Sequence, residues 1–486
     1  MKKPVIAIIG GGFCGTMTAI NLLKQATLPV DIKIINADYP LANGIAYSAH
    51  TMKYLLNVPA ENMGAFADKP LDFSNWLIEN NFHKPEEREI LSKTFQPRKL
   101  YGLYLKDVWQ QALQSNPEFA DIYVINDEAK NIEAGDDGYT IILNNADAVK
   151  ANVIVLATGN AAPQQLVVHK KPLDDYKNYF ANPWNKACVS DVKHLKKILI
   201  AGNGLTMIDT VLGIKENGFS GTIHTISPNG FSLIPHRHVG TKYTLLQSEI
   251  ENVKSLHQLR RIIYRHIIKV RNFGLSPELV TDALRTSSVK IWRQFTNEEK
   301  KTFLRELSYQ WNIVRHRTPH HIYDYLLKLR EEKKFLPYTG KMKNCFEDED
   351  GKIHVIFANK ITGEDQHLIV ERIINCTGPN SKLQQSDNIL LRNLAMKGFI
   401  VSDIFNLGIK TSDDDYSIID AQGKNHPGVF TLGTNLKGRL WESVAVPELR
   451  LQAEETSKQI LSFLHNQQTN TEGKKIPVAT GYSQHS

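Results

Sequence analysis

Three glycines near the N-terminus carry the first chemical signal. In Gly10-x-Gly12-x-x-Gly15 the first glycine permits a tight turn and the second lets backbone approach a pyrophosphate. The third lets a helix pack closely on a strand. A helix opening behind such a turn offers unpaired N–H groups and a partial positive charge to phosphate oxygens. Phe13 and Cys14 lie inside the motif. Gly202-Asn203-Gly204-Leu205-Thr206-Met207 repeats two of the glycines, with Met207 in the third place and Asp209 just beyond. It offers the same chemistry, with a purely structural strand–helix turn as the alternative. Ala157-Thr158-Gly159 and Cys376-Thr377-Gly378 are a matched pair. Each ends an apolar run, as where a chain crosses between two dinucleotide-binding units.

The second strand of such a unit usually ends in an acid that holds ribose hydroxyls. Asn36 stands at that point, with Asp38 two residues later. An amide can still pair with a hydroxyl, and a turn residue before Tyr39-Pro40 is the alternative. After the corresponding strand of the second unit come Ser227-Pro228-Asn229, without a basic pair. That tilts the choice toward NADH, while Arg237 nearby keeps NADPH open.

The elements that must position these turns follow from the pattern. Val5–Ile9 reads as a buried strand, 16–25 as a helix and Asp31–Ile35 as the next strand. Residues 139–143 and 153–156 are further strands. A second strand–glycine–helix–strand cycle runs from 197 to 227, a weak internal repeat of the fold. Residues 245–335 read as helical, and a basic stripe over 250–271 could suggest RNA or a membrane. A solvated helix face is the plainer reading. Strands return at 353–357 and 367–370, and a last helix runs from about Pro447 to Leu464.

The chain has 486 residues, of which 42% are hydrophobic and 22% charged. That excludes wholesale disorder. No apolar run reaches the ~18 residues of a membrane span. The net charge of +7 suits anionic ligands without demanding nucleic acid. Four cysteines, Cys14, Cys188, Cys345 and Cys376, form no CxxC or zinc spacing. No metal site is expected, and His236, His238, His320 and His321 read as exposed or nucleotide-adjacent. Met1-Lys2-Lys3 could imitate a secretion signal, but the apolar stretch breaks at Gly10 and no A-x-A site follows. A cytoplasmic location is the default.

Further segments carry a resemblance. They include Gly44-Ile45-Ala46-Tyr47-Ser48, Leu56-Asn57-Val58-Pro59-Ala60, Pro97-Arg98-x-x-Tyr101-Gly102-x-Tyr104-Leu105, Arg315-His316-Arg317 and Trp441-Glu442-Ser443-x-Ala445-Val446-Pro447-Glu448-Leu449-Arg450. With the glycine turns, they resemble a family of bacterial FAD/NAD(P)-binding oxidoreductases. Its neighbours are the flavin-dependent N-hydroxylating monooxygenases and the glutathione-reductase-like flavoproteins. The resemblance implies an α/β fold of two Rossmann-like domains with a helical insertion. It places the first part of an FAD domain at 1–165 and an NAD(P) domain at 190–345, with its insertion at about 245–335. The FAD domain would return at 346–465, before a flexible tail at 466–486.

It also implies FAD on Gly10, Gly12, Phe13, Cys14, Gly15, Asn36, Thr158 and Gly159. Gly378, Gly433, Asn435 and Pro447 would complete the cofactor contacts. NAD(P)H would lie on Gly202, Gly204, Leu205, Thr206 and Asp209. Asn57, Arg98 and Trp441 are candidate flavin-pocket and catalytic residues. The implied reaction is reduction of FAD by NAD(P)H, then hydroxylation of a small molecule through a flavin C4a-hydroperoxide. A reductase serving another acceptor and a non-catalytic FAD-binding sensor are the alternatives. Partners are expected to be a small-molecule substrate, with neither nucleic acid nor membrane.

Overall fold

The computed structural model describes residues 3–473 apart from 38, 116–117, 232 and 238–241, with side chains to residue 469. Asp38 and His238 thus lie outside the described residues. The chain opens with β1 (Val5–Ile9), α1 (Phe13–Gln25) and β2 (Val30–Ile35). α2 (Arg98–Gln114) leads to β3 (Ala120–Ile125), and β4 (Val153–Leu156) ends in the Ala157-Thr158-Gly159 turn. β1 is β-branched at four of five positions and almost wholly buried, as a central parallel strand covered on both faces must be. One sheet runs Ser417–Ile419, β11 (Asn425–Thr431), β4, β1, β2, β3. α1, α2 and the long C-terminal helix cover one face. A three-stranded sheet spanning residues 129–151 and the helix Ile389–Met396 cover the other.

The second unit repeats the plan with β5 (Lys197–Ala201), α3 (Leu205–Glu216) and β6 (Thr222–Ser227). The helices α4 (Leu256–Asn272), α5 (Glu278–Arg285), α6 (Ser288–Gln294), α7 (Asn297–Glu306), α8 (Ser308–Arg315) and α9 (His320–Glu331) follow. Then come β7 (Phe335–Glu347), β8 (Ile353–Asn359), β9 (Asp365–Val370) and β10 (Arg372–Asn375). The sheet order is Tyr179–Phe180, β10, β5, β6, β7, β8, β9. Parallel neighbours β6 and β7 need a crossover, and the helices are inserted within it. α10 (Val446–Gly473) packs along α1 and closes the first unit.

Three expected boundaries move. β8, β9 and β10 pair within the second sheet, so the chain returns to the first unit after Asn375 and not at 346. α9 puts Ile322, Leu326 and Leu329 into the core beneath β5 and β6. The insertion with its own core therefore ends at α8 and not at 335. α10 carries helix through 466–473, where a flexible tail was expected. Residues 474–486 lie outside the described residues.

Candidate functional site

The first glycine turn sits between β1 and α1. Gly10 has φ +106°, open to glycine without strain, and a Cβ there would lie 2.3 Å from the Ala157 carbonyl oxygen. On Gly15 a Cβ would stand 1.9 Å from the Gly10 carbonyl oxygen, so this glycine serves helix–strand packing. Gly12 is the N-cap of α1, without a side-chain cap and with no acid in the first turn. The first-turn N–H groups are left to an anion. Gly44 lies against Gly12: a Cβ on Gly44 would stand 3.1 Å from the Gly12 Cα. The sequence singled out Gly44 as a motif without giving it this role.

The C-terminal segment comes back to this turn. Asn435 donates to the Thr158 hydroxyl at 3.1 Å, and the Thr434 hydroxyl donates to the Gly159 carbonyl at 2.8 Å. A Cβ on Gly433 would lie 3.2 Å from Cys14 Sγ, and Gly433 N donates to Gln452 of α10. Burial pushes the Cys14 thiol up to about 12, so it stays protonated. Pro447 is the second residue of α10, in the first turn, where an N–H has no intrahelical acceptor to lose. Gly10, Gly12, Cys14, Thr158, Gly159, Gly433 and Asn435 therefore belong to one neighbourhood.

The second turn has the same backbone. Gly202 has φ +110° and would set a Cβ 2.3 Å from the Cys376 carbonyl oxygen. Gly204 caps α3 as Gly12 caps α1, again without a side-chain cap or an early acid. A Cβ on Gly204 would meet nothing within 4 Å. Met207 replaces the third glycine and is wholly buried in the core with Ile198 and Ile200. Gly378, in the matched turn after β10, has φ +93°. Both turns have the bare backbone and free donors that a dinucleotide pyrophosphate requires.

Between the units, Asn57 and Arg98 line a small cavity with Leu205, Asp209, Arg317 and Thr318. Arg98 Nη2 lies 3.5 Å from Asp209 Oδ2 across the domain boundary. Burial raises the Asp209 carboxyl to about 6, against the pull of Arg98. His236 lies tilted against the Phe95 ring, with centroids 4.3 Å apart, and burial helped by Arg317 lowers its pKa to about 4. A cavity of about 530 Å³ adjoins, sharing Leu55 and Ile322, but holds none of the glycine-turn residues.

Several expected roles change. Asn36 does not point a free amide outward. Its Oδ1 accepts from Gly11 N at 3.1 Å and its Nδ2 donates to the Tyr39 carbonyl at 2.8 Å, bracing the turn. Asp209 faces Arg98 from the second turn of α3. Trp441 is buried in the insertion's core, not in the cavity with Asn57 and Arg98. Its ring stacks on Trp292 and meets Phe303 edge-on, both at 5.1 Å. Its neighbour Glu442 is also spent on the insertion, accepting from Trp311 at 2.8 Å and Arg315 at 3.1 Å. Arg237, expected near a 2′-phosphate, pairs with Asp282 at 2.8 Å alongside Arg317 at 2.9 Å. Lys360 reaches the residues that follow β6, donating to the Pro228 carbonyl at 2.7 Å. Only β8 and β9 bring Lys360 there, so no sequence spacing could have found it.

The fold is that of the two-dinucleotide-domain flavoproteins. Residues 7–161 match the model of the FAD-NAD(P)-binding family. The chain is similar to the ornithine N-hydroxylase of Kutzneria sp. 744, in a structure with reduced FAD, NADP+ and L-ornithine. Identity is 12%, coverage 96% of this chain and 100% of that one, and the TM-score 0.65. The FAD-bound cadaverine monooxygenase of Erwinia amylovora matches at 15% identity over the whole of both chains, TM-score 0.55. The bacillithiol disulfide reductase of Staphylococcus aureus matches at 13% identity over 95% of this chain and 99% of that one, TM-score 0.56. No curated protein matches the chain.

Proposed function

We propose that the chain is an FAD-dependent NAD(P)H oxidoreductase that hydroxylates a small molecule, with an amine nitrogen as the favoured target. The observation carrying this reading is the pair of uncapped helices, α1 and α3, each behind a bare glycine turn on its own parallel sheet. Bound FAD would supply acceptance of hydride from NAD(P)H and delivery of electrons to oxygen. The first turn, with Thr158, Gly159, Gly433 and Asn435, would hold FAD. The second, with Leu205 and Thr206, would hold the hydride donor. The start of α10 at Pro447 would offer its positive end to the flavin ring.

Asn57 and Arg98 would form the wall between the two nucleotides. The Arg98–Asp209 pair would set the distance across that wall. Trp441 and Glu442 would act at one remove, anchoring the insertion to the segment that runs from Gly433 to α10. A thiol-disulfide relay is disfavoured, because the four cysteines are free and burial raises each thiol. The ornithine and cadaverine enzymes among the similar structures support an amine as substrate.

The test is oxidation of NADH or NADPH in air, with hydrogen peroxide measured as diamines and amino acids are added. A hydroxylase shows peroxide falling as hydroxylated amine appears. Steady peroxide with every amine would favour the reductase reading, and no nucleotide oxidation would favour the sensor.

A further inference from the structure

The outer face of α4 carries side chains that a merely solvated helix does not need. Its orientation is fixed from inside. Leu256, Leu259, Ile262 and Val270 enter the insertion's core. His266 is buried and bonds the Tyr243 hydroxyl at 2.6 Å and Glu249 at 3.0 Å. At 3.6 residues per turn, Tyr264 and Ile268 then run along the middle of the outer face. Arg260 and Arg271 flank them on one side, Arg261 and Arg265 on the other. Tyr264 is 68% exposed and Ile268 42%. Beyond the helix, Phe273 and Leu275 stand 73% and 47% exposed around Gly274, whose φ is +68°. Between Glu251 and Glu278 there are six Lys or Arg and no Asp or Glu. Among the described residues, only Arg260 and Arg265 of these six pair with an acid.

We infer that this face docks the protein on an anionic lipid surface. Cations beside exposed aromatic and aliphatic side chains are what a helix lying in the headgroup region requires. The arginines meet lipid phosphates, while Tyr264, Ile268, Phe273 and Leu275 enter the acyl boundary. Ile268 and Leu275 gain nothing from nucleic acid, whose bases reward stacking. The contact is peripheral, since no described helix is long and apolar enough to cross a membrane. It departs from the expectation of no membrane partner and does not depend on the proposed reaction.

The experiment is co-sedimentation of the full chain with vesicles at low salt. Phosphatidylcholine vesicles are compared with an equimolar phosphatidylcholine–phosphatidylglycerol mixture. The protein pellets with the mixture and not with phosphatidylcholine alone. Arg261→Glu with Arg271→Glu lowers partition by about 25-fold or more, taking about fivefold per cation. Ile268→Ser with Phe273→Ser lowers it by about tenfold or more. All four positions are exposed, and an unchanged far-ultraviolet circular dichroism spectrum confirms folding. Three results would overturn the inference. They are no pelleting with the mixture, binding unchanged in the serine variant, or retention on single-stranded RNA at salt that strips the vesicles.

Discussion

The two glycine turns share a backbone and differ in what surrounds them. Gly10 and Gly202 take the same left-handed turn against equivalent carbonyls, those of Ala157 and Cys376. Gly10 N donates to Ile35 and Gly202 N to Ile226, so Asn36 and Ser227 are equivalent residues. Both are turned inward: Asn36 braces Gly11, and Ser227 accepts from Asn203 while donating to the Gly230 carbonyl. The differences lie above the turns. Gly44, the segment 433–435 and α10 close over the first. Above Gly204 there is open space. A covered turn suits a resident cofactor, and an open one suits a nucleotide that must leave after each hydride transfer. The third position differs too. Gly15 keeps α1 tight on β1, whereas Met207 fills a space beneath α3.

The comparison breaks most visibly if the covered turn is blocked. A Cβ on Gly12 would meet Gly44 at an ordinary 3.5 Å, so Gly12→Val should fold. Its side chain would occupy the pyrophosphate's place, and the purified variant should lack flavin absorbance. Swapping the third positions sharpens the contrast. Gly15→Met has no room and should fail to give soluble, flavin-bearing protein. Met207→Gly leaves a cavity, loses about 3 kcal/mol as read by urea unfolding, and keeps its FAD.

A smaller effect is expected from the pair that spans the two units. Asp209 rises from 3.8 to about 6 on folding. The folded protein therefore binds this proton more tightly than the unfolded chain. The Asp209 contribution to stability is full below about 4 and is lost as pH rises through about 6. Above that, the carboxylate is charged and pairs with Arg98. Flavin reduction by NAD(P)H should show an inflection near pH 6 that is absent in Asp209→Asn.

The smallest effect concerns nucleotide choice. With Arg237 held by Asp282, neither NADH nor NADPH should be favoured more than about tenfold. Lys360→Ala should weaken NADPH about fivefold while leaving NADH unchanged, as read by the two dissociation constants.

How much of this was legible in the sequence depended on the range of the contact. The turns, their flanking strands and α3 follow local rules of strand period and glycine conformation, and lie within a few residues of their expected limits. Asn36 follows the last residue of β2, as the pattern predicts, but its bracing role is not visible in the sequence, because Gly11 and Tyr39 claim its amide only once the turn is folded. Arg98 stands out in the sequence without its partner Asp209, 111 residues away, since the two charges meet only through tertiary packing. The resemblance makes Trp441 a flavin-pocket candidate. Trp292 and Phe303, far off in sequence, took the ring instead. The sequence puts the domain return near 346 and the structure after Asn375, because strands of either sheet have the same alternating pattern and only pairing tells them apart.

The most direct test of two sites with different tasks is anaerobic stopped-flow reduction, following flavin absorbance in the unaltered chain and in Gly204→Val. The assignment of FAD to the first turn predicts that both are isolated with about one FAD per chain. NADH or NADPH bleaches the unaltered flavin, while Gly204→Val is bleached at least a hundredfold more slowly. A Gly204→Val protein that loses its flavin yet reduces the remainder at the normal rate would contradict it.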